Sequence, residues 1–356
     1  MIVGVPTEVK DSELRVGMTP VGVRELRDRG HTVLVQAGAG VGSGFPDDDY
    51  RAAGARIAPS AETTWGEADL VVKVKEPVAS EFPHLRGDLT LFAYLHLAAV
   101  PRLTRALLDA GTTAIAYETV QLPDRSLPLL APMSEIAGRL SVQAGAHHLM
   151  APSGGRGILP GGVPGTPRAS VVVIGGGVAG TNAAEMAVGL GAHVTVIDTS
   201  LPRLRQLDER FAGRVDTRVS TRTAIAEAVA GADLVIGSVL IPGAAAPKLV
   251  TLDMVEGMRP GSVLVDIAVD QGGCFEGTRP TTYSDPTYRV HGSVYYAVAN
   301  MPGAVPLTST LALTNATLPF TLALAEGADA ALDRDAALRA GLSTANGEVV
   351  DPRITP

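Results

Sequence analysis

Only one cysteine, Cys274, occurs in the 356 residues. An internal disulfide is therefore impossible and a cysteine-rich metal site is excluded. No metal is expected, and a reducing, cytoplasmic setting is. Aromatic residues make up 4% of the chain, too few for a stacking platform on single-stranded nucleic acid. Positive charge is also short, with 29 basic against 37 acidic residues and a net charge of −8. Such a surface repels a phosphate backbone, so nucleic acid is not an expected partner. No uninterrupted apolar run reaches the ~18 residues of a membrane span. The opening MIVGVPTEVKDSELR lacks the basic region and apolar stretch of a secretory signal, so no membrane association is expected. No repeat of 20–50 residues is visible.

What is present is apolar and punctuated. Hydrophobic residues are 46% of the chain, and the mean hydropathy of +0.22 excludes disorder. The length predicts about two domains. The 40 glycines and 25 prolines fall between apolar runs, as tight turns would. Over the first 125 residues strand and helix signals alternate. Ile2–Val5 reads as a strand. Thr19 then caps a helix with Pro20 in its first turn, Val23 and Leu26 inward and Gly30 as the stop. HTVLVQ, LVVKV, TLFA and TAIA read as further strands. A second alternation starts at Ser170, after the Gly/Pro-dense stretch Ser153–Pro167, and Leu307–Glu326 reads as a long helix. This rhythm predicts an α/β fold with parallel sheets carrying helices on their faces. The tail from Asp333 reads as short and polar-mixed.

One motif has mechanical content. VVVIGGGVAGTNAAEMA carries Gly175-x-Gly177-x-x-Gly180 between a β-branched strand and an Ala-rich helix. Gly175 permits the tight turn, Gly177 lets the backbone approach a diphosphate, and Gly180 lets helix and strand pack closely. The helix N-terminus offers free amides and partial positive charge. The next strand, HVTVI, ends in Asp198, placed to accept from ribose hydroxyls and to repel a 2′-phosphate, which favours NAD over NADP. The earlier run Gly38–Gly44 has Ser43 where the third glycine belongs and reads as a plain turn.

Polar residues just past the strands are the candidates for chemistry, because ligands of such folds sit at the carboxyl ends of the strands. They are Arg15, Lys75, His96, Asp266 and Asp270. Lys73 and Lys75 share one strand face, so periodicity does not choose between them. As a set these residues supply cations for a carboxylate and a base for an amine or hydroxyl proton.

PTEVKDSELRVGMTP, VKVKEP, LHLAA, AYETVQ, PLLAPMSEIAGRL, the GGGVAG loop, VDIAVDQGGCFEG and YAVANMPGAVPLTST together resemble the alanine dehydrogenase family, which includes the soluble domain of nicotinamide nucleotide transhydrogenase. The resemblance runs from Met1 to about Gly341. It implies NAD-dependent interconversion of L-alanine with pyruvate and ammonia. It implies Arg15 and Lys75 on the substrate, and His96 and Asp270 as catalytic acid–base groups. For the cofactor it implies Ser134, Gly175, Gly177, Val178, Ala179, Gly180, Asp198, Arg203, Ser220, Val239, Leu240, Ile267, Ala268, Val269, Asp270, Arg279, Val298, Ala299, Asn300 and Met301. The implied organisation is two Rossmann-like, doubly wound parallel-sheet domains flanking a cleft, a discontinuous substrate domain, 1–128 with 307–356, and a nucleotide domain, 129–306, assembled as a homo-oligomer, commonly a hexamer. Val178 stands where the family loop often has Thr, and Gly17-Met18 replaces a commoner small-aliphatic pair. The chain also stops at Pro356, earlier than many members. A transhydrogenase-type NAD(H)-binding subunit and a dehydrogenase for another small amino or 2-oxo acid, such as one aminating glyoxylate, are the alternatives.

Overall fold

The computed structural model describes residues 1–239 and 246–354. Its contacts divide the chain into two units, Met1–Met133 with Gly303–Pro356, and Ser134–Pro302.

The first unit is built on a sheet of eight strands: β1 (Ile2–Val5), β2 (Thr32–Gln36), β3 (Arg56–Ala58), β4 (Leu70–Val72), β5 (Thr90–Ala93), β6 (Thr113–Ala116), β14 (Leu342–Ala345) and β15 (Glu348–Val349). The order is β15-β14-β6-β5-β4-β1-β2-β3. β1 to β6 are parallel, whereas β14 runs antiparallel to β6 and to β15. Helices α1 (Pro20–Asp28), α2 (Asp47–Ala53), α3 (Ala61–Glu67) and α4 (Pro101–Ala110) connect the strands. α1 starts as its sequence dictates: the Thr19 hydroxyl accepts from Gly22 N at 3.3 Å, and Pro20 opens the first turn.

The polar tail is the main departure in this unit. After α10 (Pro306–Ala325), two short helices, α11 (Ala328–Arg334) and α12 (Ala336–Ala340), lead into β14 and β15, so the sheet gains an antiparallel edge. α10 is long and apolar enough, by length and composition, to cross a membrane. Its inward stripe is nevertheless hydroxylic, with Ser309, Thr310, Thr314, Thr317 and Thr321 buried. Such a stripe suits a helix seated on a protein core, and α10 packs on α1 and β4.

The second unit has seven strands: β7 (Ser170–Ile174), β8 (His193–Asp198), β9 (Asp216–Val219), β10 (Leu234–Gly237), β11 (Val263–Asp266), β12 (Thr287–Val290) and β13 (Ser293–Tyr296), in the order β12-β13-β11-β10-β7-β8-β9. Helices α5 (Ala131–His148), α6 (Val178–Gly189), α7 (Leu201–Phe211), α8 (Arg222–Ala230) and α9 (Leu252–Glu256) complete the set. Both sheet faces are covered, and side-chain alternation shows it. Val171, Val173, Leu234 and Ile236 pack with α6 and α7 residues such as Ala183 and Leu207. Val172, Ile174, Val235 and Leu264 pack with Ile225 and Val229 of α8. β12 and β13 form a hairpin. His291 and Gly292, at φ +47° and +85°, make the turn that sends β12 back along β13 as an antiparallel edge. Both sheets are thus mixed at one edge, a small correction to wholly parallel domains.

Strand order locates the sites. In the first sheet the chain leaves β1 toward β2 and β3, then returns on the other side at β4, so the order reverses between β1 and β4. In the second it reverses between β7 and β10. Loops after the two strands diverge at such points and leave a crevice at their carboxyl ends.

Candidate active site

At the β1/β4 reversal, charged side chains are crowded and mostly paired. Arg15, 2% exposed, is clamped by Glu13: Oε1 accepts from Nε at 2.7 Å and Oε2 from Nη2 at 2.5 Å. Its Nη1 faces the Met133 thioether at 3.1 Å. Lys73, 1% exposed, lies between Glu8 Oε2 at 3.1 Å and Glu81 Oε1 at 2.9 Å. Burial works to lower its ammonium, but the two carboxylates outweigh this and hold it above its usual value. The Glu8 carboxylate also accepts from the amides of Val74 and Lys75. The strand ends at Val72, shorter than the alternation suggests, and Lys75 lies beyond it, half-buried. Lys73 is therefore committed to the fold by its two carboxylates.

His96 follows β5 in a left-handed conformation, φ +49° and ψ +36°. Glu118, in the 3-10 turn after β6, holds it there: Oε1 accepts from His96 N at 2.6 Å, and both oxygens accept from Leu95 N at 3.2 Å. A non-glycine residue rests in that region only when its surroundings fix it. The Glu76 carboxylate lies beside the ring, with Oε2 3.4 Å from Nδ1, and is ion-paired with Lys10. Burial works to raise the Glu76 carboxyl, but His96, Lys10 and Lys75 more than offset it and hold it down at about 2.

At the β7/β10 reversal the site is mostly main chain. Gly175 has φ +98°. A Cβ on Gly180 would lie 1.8 Å from the Gly175 carbonyl, whereas one on Gly177 would meet nothing within 4 Å. The helix seats on its loop at Gly180, and open space lies over Gly177. Gly177 is the N-cap of α6 and gives it no side-chain cap, so Val178 and Ala179 open the helix with amides available to an anion. Asp198 braces this loop: Oδ2 accepts from Gly176 N at 2.7 Å and Oδ1 from Ser200 N at 2.8 Å. Arg203 lies across it, Nε on the Gly176 carbonyl at 2.6 Å and Nη2 on Thr181 Oγ1 at 2.6 Å. Ser220 ends the neighbouring loop, its amide on the Asp198 carbonyl. Val239 packs where a Gly175 side chain would stand. A bare turn, an unfilled helix N-terminus and a carboxylate at the next strand end fit an adenine dinucleotide.

The segment after β11 carries Ile267, Ala268, Val269 and Asp270. Ile267 N donates to the Gly237 carbonyl, and Asp270 is exposed on the 3-10 turn Val269–Gln271. Asp266 is buried with both carboxylate oxygens on Cys274 N, at 3.0 and 3.1 Å. Burial raises its carboxyl against those hydrogen bonds. Asp266 thus anchors the loop, and Asp270 is the aspartate left toward solvent. Arg279 stacks on Tyr288 with its guanidinium 4.3 Å from the ring centroid. Val298 pairs with Thr281; Ala299, Asn300 (φ +64°) and Met301 follow, and the Met301 carbonyl accepts from Tyr283 Oη at 2.6 Å. Ser134 is half-buried on α5. Leu240 lies outside the described residues.

Comparison with known proteins fits this geometry. The description "Alanine dehydrogenase/PNT, N-terminal domain" matches residues 4–137, and its C-terminal counterpart matches 141–352. The chain belongs to the alanine dehydrogenase/PNT family. It is 59% identical to an alanine dehydrogenase of Mycobacterium tuberculosis over 99% of this chain and 96% of the relative. It is 58% identical to that of Bacillus subtilis over 98% and 92%. A solved L-alanine dehydrogenase superposes with a TM-score of 0.96 at 54% identity, covering 99% of this chain and 98% of the other. A transhydrogenase from Sinorhizobium meliloti superposes at 0.84 with 30% identity, covering 99% of each chain.

Within this family member, sequence reasoning passed over Glu8, Glu13, Glu76, Glu118 and Ser238. The last ties the two strand ends together, its hydroxyl donating to the carbonyls of Ile174 and Gly175 at 2.9 and 2.8 Å. Apart from Glu13, which grips Arg15 two residues on, these carboxylates act on partners well separated in sequence, 65 residues in the case of Glu8 and Lys73. The one available signal was VKVKEP, where Glu76 directly follows Lys75.

Proposed function

We propose that this protein catalyses the NAD-dependent oxidative deamination of L-alanine to pyruvate and ammonia, and the reverse reductive amination. The observation that carries this reading is near-60% identity to alanine dehydrogenases along essentially the whole chain, both halves included. It is supported by the chemistry of the two loop clusters. The β1/β4 cluster offers cations and an imidazole, and the β7/β10 cluster offers a dinucleotide seat.

In this reading Lys75 and Arg15 hold the substrate carboxylate and carbonyl, with the Arg15 guanidinium set in place by Glu13. The amine must be neutral before hydride can leave Cα, so His96 or Asp270 takes a proton from nitrogen. When bound, NAD supplies the acceptor for that hydride. The amides of Val178 and Ala179 would hold its diphosphate, and Asp198 and Arg203 would lie by the adenosine ribose. Once that base has passed its proton to solvent, it takes one from water as the water adds to the imine carbon. Return of this proton to nitrogen lets the C–N bond break as the new hydroxyl gives up its own proton, releasing ammonia and leaving the pyruvate carbonyl. We also read the chain as a cytoplasmic homo-oligomer, a hexamer, which light scattering would measure.

The test is a panel of small amino acids and 2-oxo acids with NAD and NADP side by side, read as nicotinamide absorbance. L-Alanine with NAD should give the fastest oxidation. Tight NAD binding without turnover of any amino acid would overturn the reading in favour of a hydride-exchange subunit.

A further inference from the structure

Glu76 has a local arrangement that the catalytic scheme does not use. Its side chain is 9% exposed and divided between two neighbours. Oε1 takes the Lys10 ammonium. Oε2 is buried with no hydrogen-bond partner among the described residues, and His96 Nδ1 stands 3.4 Å away. A buried carboxylate oxygen in that position is an acceptor in want of a proton, and the ring nitrogen opposite carries one in one of its two tautomers. Glu118 meanwhile fixes the His96 main chain through its amide, at 2.6 Å. The residue is thus held twice, by the backbone and by the ring.

We propose that Glu76 is a positioning residue for the reaction: its Oε2 accepts the Nδ1 proton of His96, which fixes the tautomer that leaves Nε2 as the base, and Lys10 sets how much of the Glu76 charge reaches the ring. The proposal rests on the reading of His96 as the acid–base group. The groups around His96 are Glu76 from the segment after β4, beside the ring, Glu118 from the turn after β6, on the main-chain amide, and Tyr94 just past β5, whose ring centroid is 6.0 Å away. Lys10 and Lys75 act on it through Glu76. The carboxyl of Glu76, held at about 2, stays ionised wherever the enzyme works. Hydrogen bonding of one imidazole nitrogen to a carboxylate is a general way to orient the ring and strengthen the other nitrogen as a base.

The experiment is the pH profile of kcat/KM for L-alanine with saturating NAD, for the wild type, Glu76→Gln and Lys10→Met. Glu76→Gln keeps the shape but loses the charge. It should lower kcat by about 10- to 100-fold with KM for alanine little changed. It should also move the acid limb to lower pH by about one unit, because the protonated ring loses its counter-charge. Lys10→Met leaves the Glu76 charge to the ring alone and should move the acid limb the opposite way. Opposed movement supports the proposal, since a role confined to packing would move neither limb in a charge-dependent direction. Superposable profiles, or two limbs moving together, overturn it. If Glu76→Gln fails to fold by circular dichroism, Lys10→Met decides alone, because that side chain is a third exposed. An unmoved acid limb then overturns the proposal. His96→Ala separates the two levels. Full turnover in that variant removes His96 and Glu76 together. Loss of turnover with unmoved Glu76 and Lys10 profiles removes Glu76 alone.

Discussion

The two strand-order reversals are built from different materials. Between β7 and β10 the contacts are amides and bare α-carbons, with Asp198 and Arg203 bracing the loop through Gly176. Between β1 and β4 nearly every contact is a charged side chain, and most of these charges are already paired within the protein. A diphosphate can be recognised by main chain alone, because a helix start presents amides whatever its side chains are. A small carboxylate with an amine next to it needs a cation and a base at set positions. Each of those groups must in turn be held, and the holders are carboxylates. The cost is a buried, nearly neutral cluster in which structural and ligand-facing charges look alike.

That likeness can be broken most sharply at Lys73 and Lys75. Lys75→Met should reduce kcat/KM for alanine by about 10²–10³-fold, as loss of a ligand-facing cation does, while the melting temperature stays close to that of the wild type. Lys73→Met should do the reverse. It strands Glu8 and Glu81 in a buried site and should destabilise the protein by about 3–5 kcal/mol, read by chemical denaturation. If Lys75→Met melts early and Lys73→Met only slows turnover, the division between ligand-facing and structural lysine is inverted.

The charged cluster should also be the acid-sensitive one. Glu76 is held at about 2, below the ~4.3 of an unfolded chain. A carboxyl depressed in the folded state contributes stability that is complete above the unfolded value and is lost as pH falls toward the folded one. Glu76→Gln should therefore remove about 3 kcal/mol of the stability difference between pH 6 and pH 2. Denaturant midpoints of both proteins across that range measure it. Parallel curves would show that the cluster does not hold Glu76 ionised.

What could be seen in the sequence follows the same division. The glycine loop was legible because its function is its backbone, and the strand before it, the glycine spacing and Asp198 after HVTVI all lie between Ser170 and Asp198. α1 was legible from Thr19 and Pro20, and α10 from its composition. The Lys73/Lys75 choice was not, because a period of two puts both on one face and only Glu8, far along the chain, tells them apart. Nor was the final edge of the first sheet. LSTANGEV is too short and polar to announce a strand, and its pairing of Leu342 with Ile115 joins residues from opposite ends of the sequence. Arg279, Ser220 and the Val298–Met301 stretch entered through family resemblance, since nothing local in them points to a nucleotide.

The main-chain site can be tested by adding one carbon. Gly180→Ala places a Cβ 1.8 Å from the Gly175 carbonyl and 2.8 Å from Ser238 Oγ, so the turn and helix must separate. A stability loss of about 1–3 kcal/mol should accompany any loss of NAD affinity. Gly177→Ala meets no protein atom within 4 Å, at a backbone φ of −65° that alanine accepts. Stability should hold while KM for NAD rises about tenfold, because the added methyl crowds the ligand and not the protein. Equal effects of both variants on stability would mean that the space over Gly177 is not kept open for a ligand.

The smallest effect concerns the carboxylate that braces the main-chain site. Asp198 has both oxygens engaged, by Gly176 N and Ser200 N, and each can still accept a further hydrogen bond. Asp198→Ala removes an acceptor pair from the ribose side and the negative charge that opposes a 2′-phosphate, while Arg203 stays beside the loop. The NAD/NADP preference in kcat/KM should fall by about tenfold, partly through weaker NAD use and partly through better NADP use. If both cofactors lose equally, the carboxylate acts only through the Gly176 amide, and specificity resides in the shape of the loop.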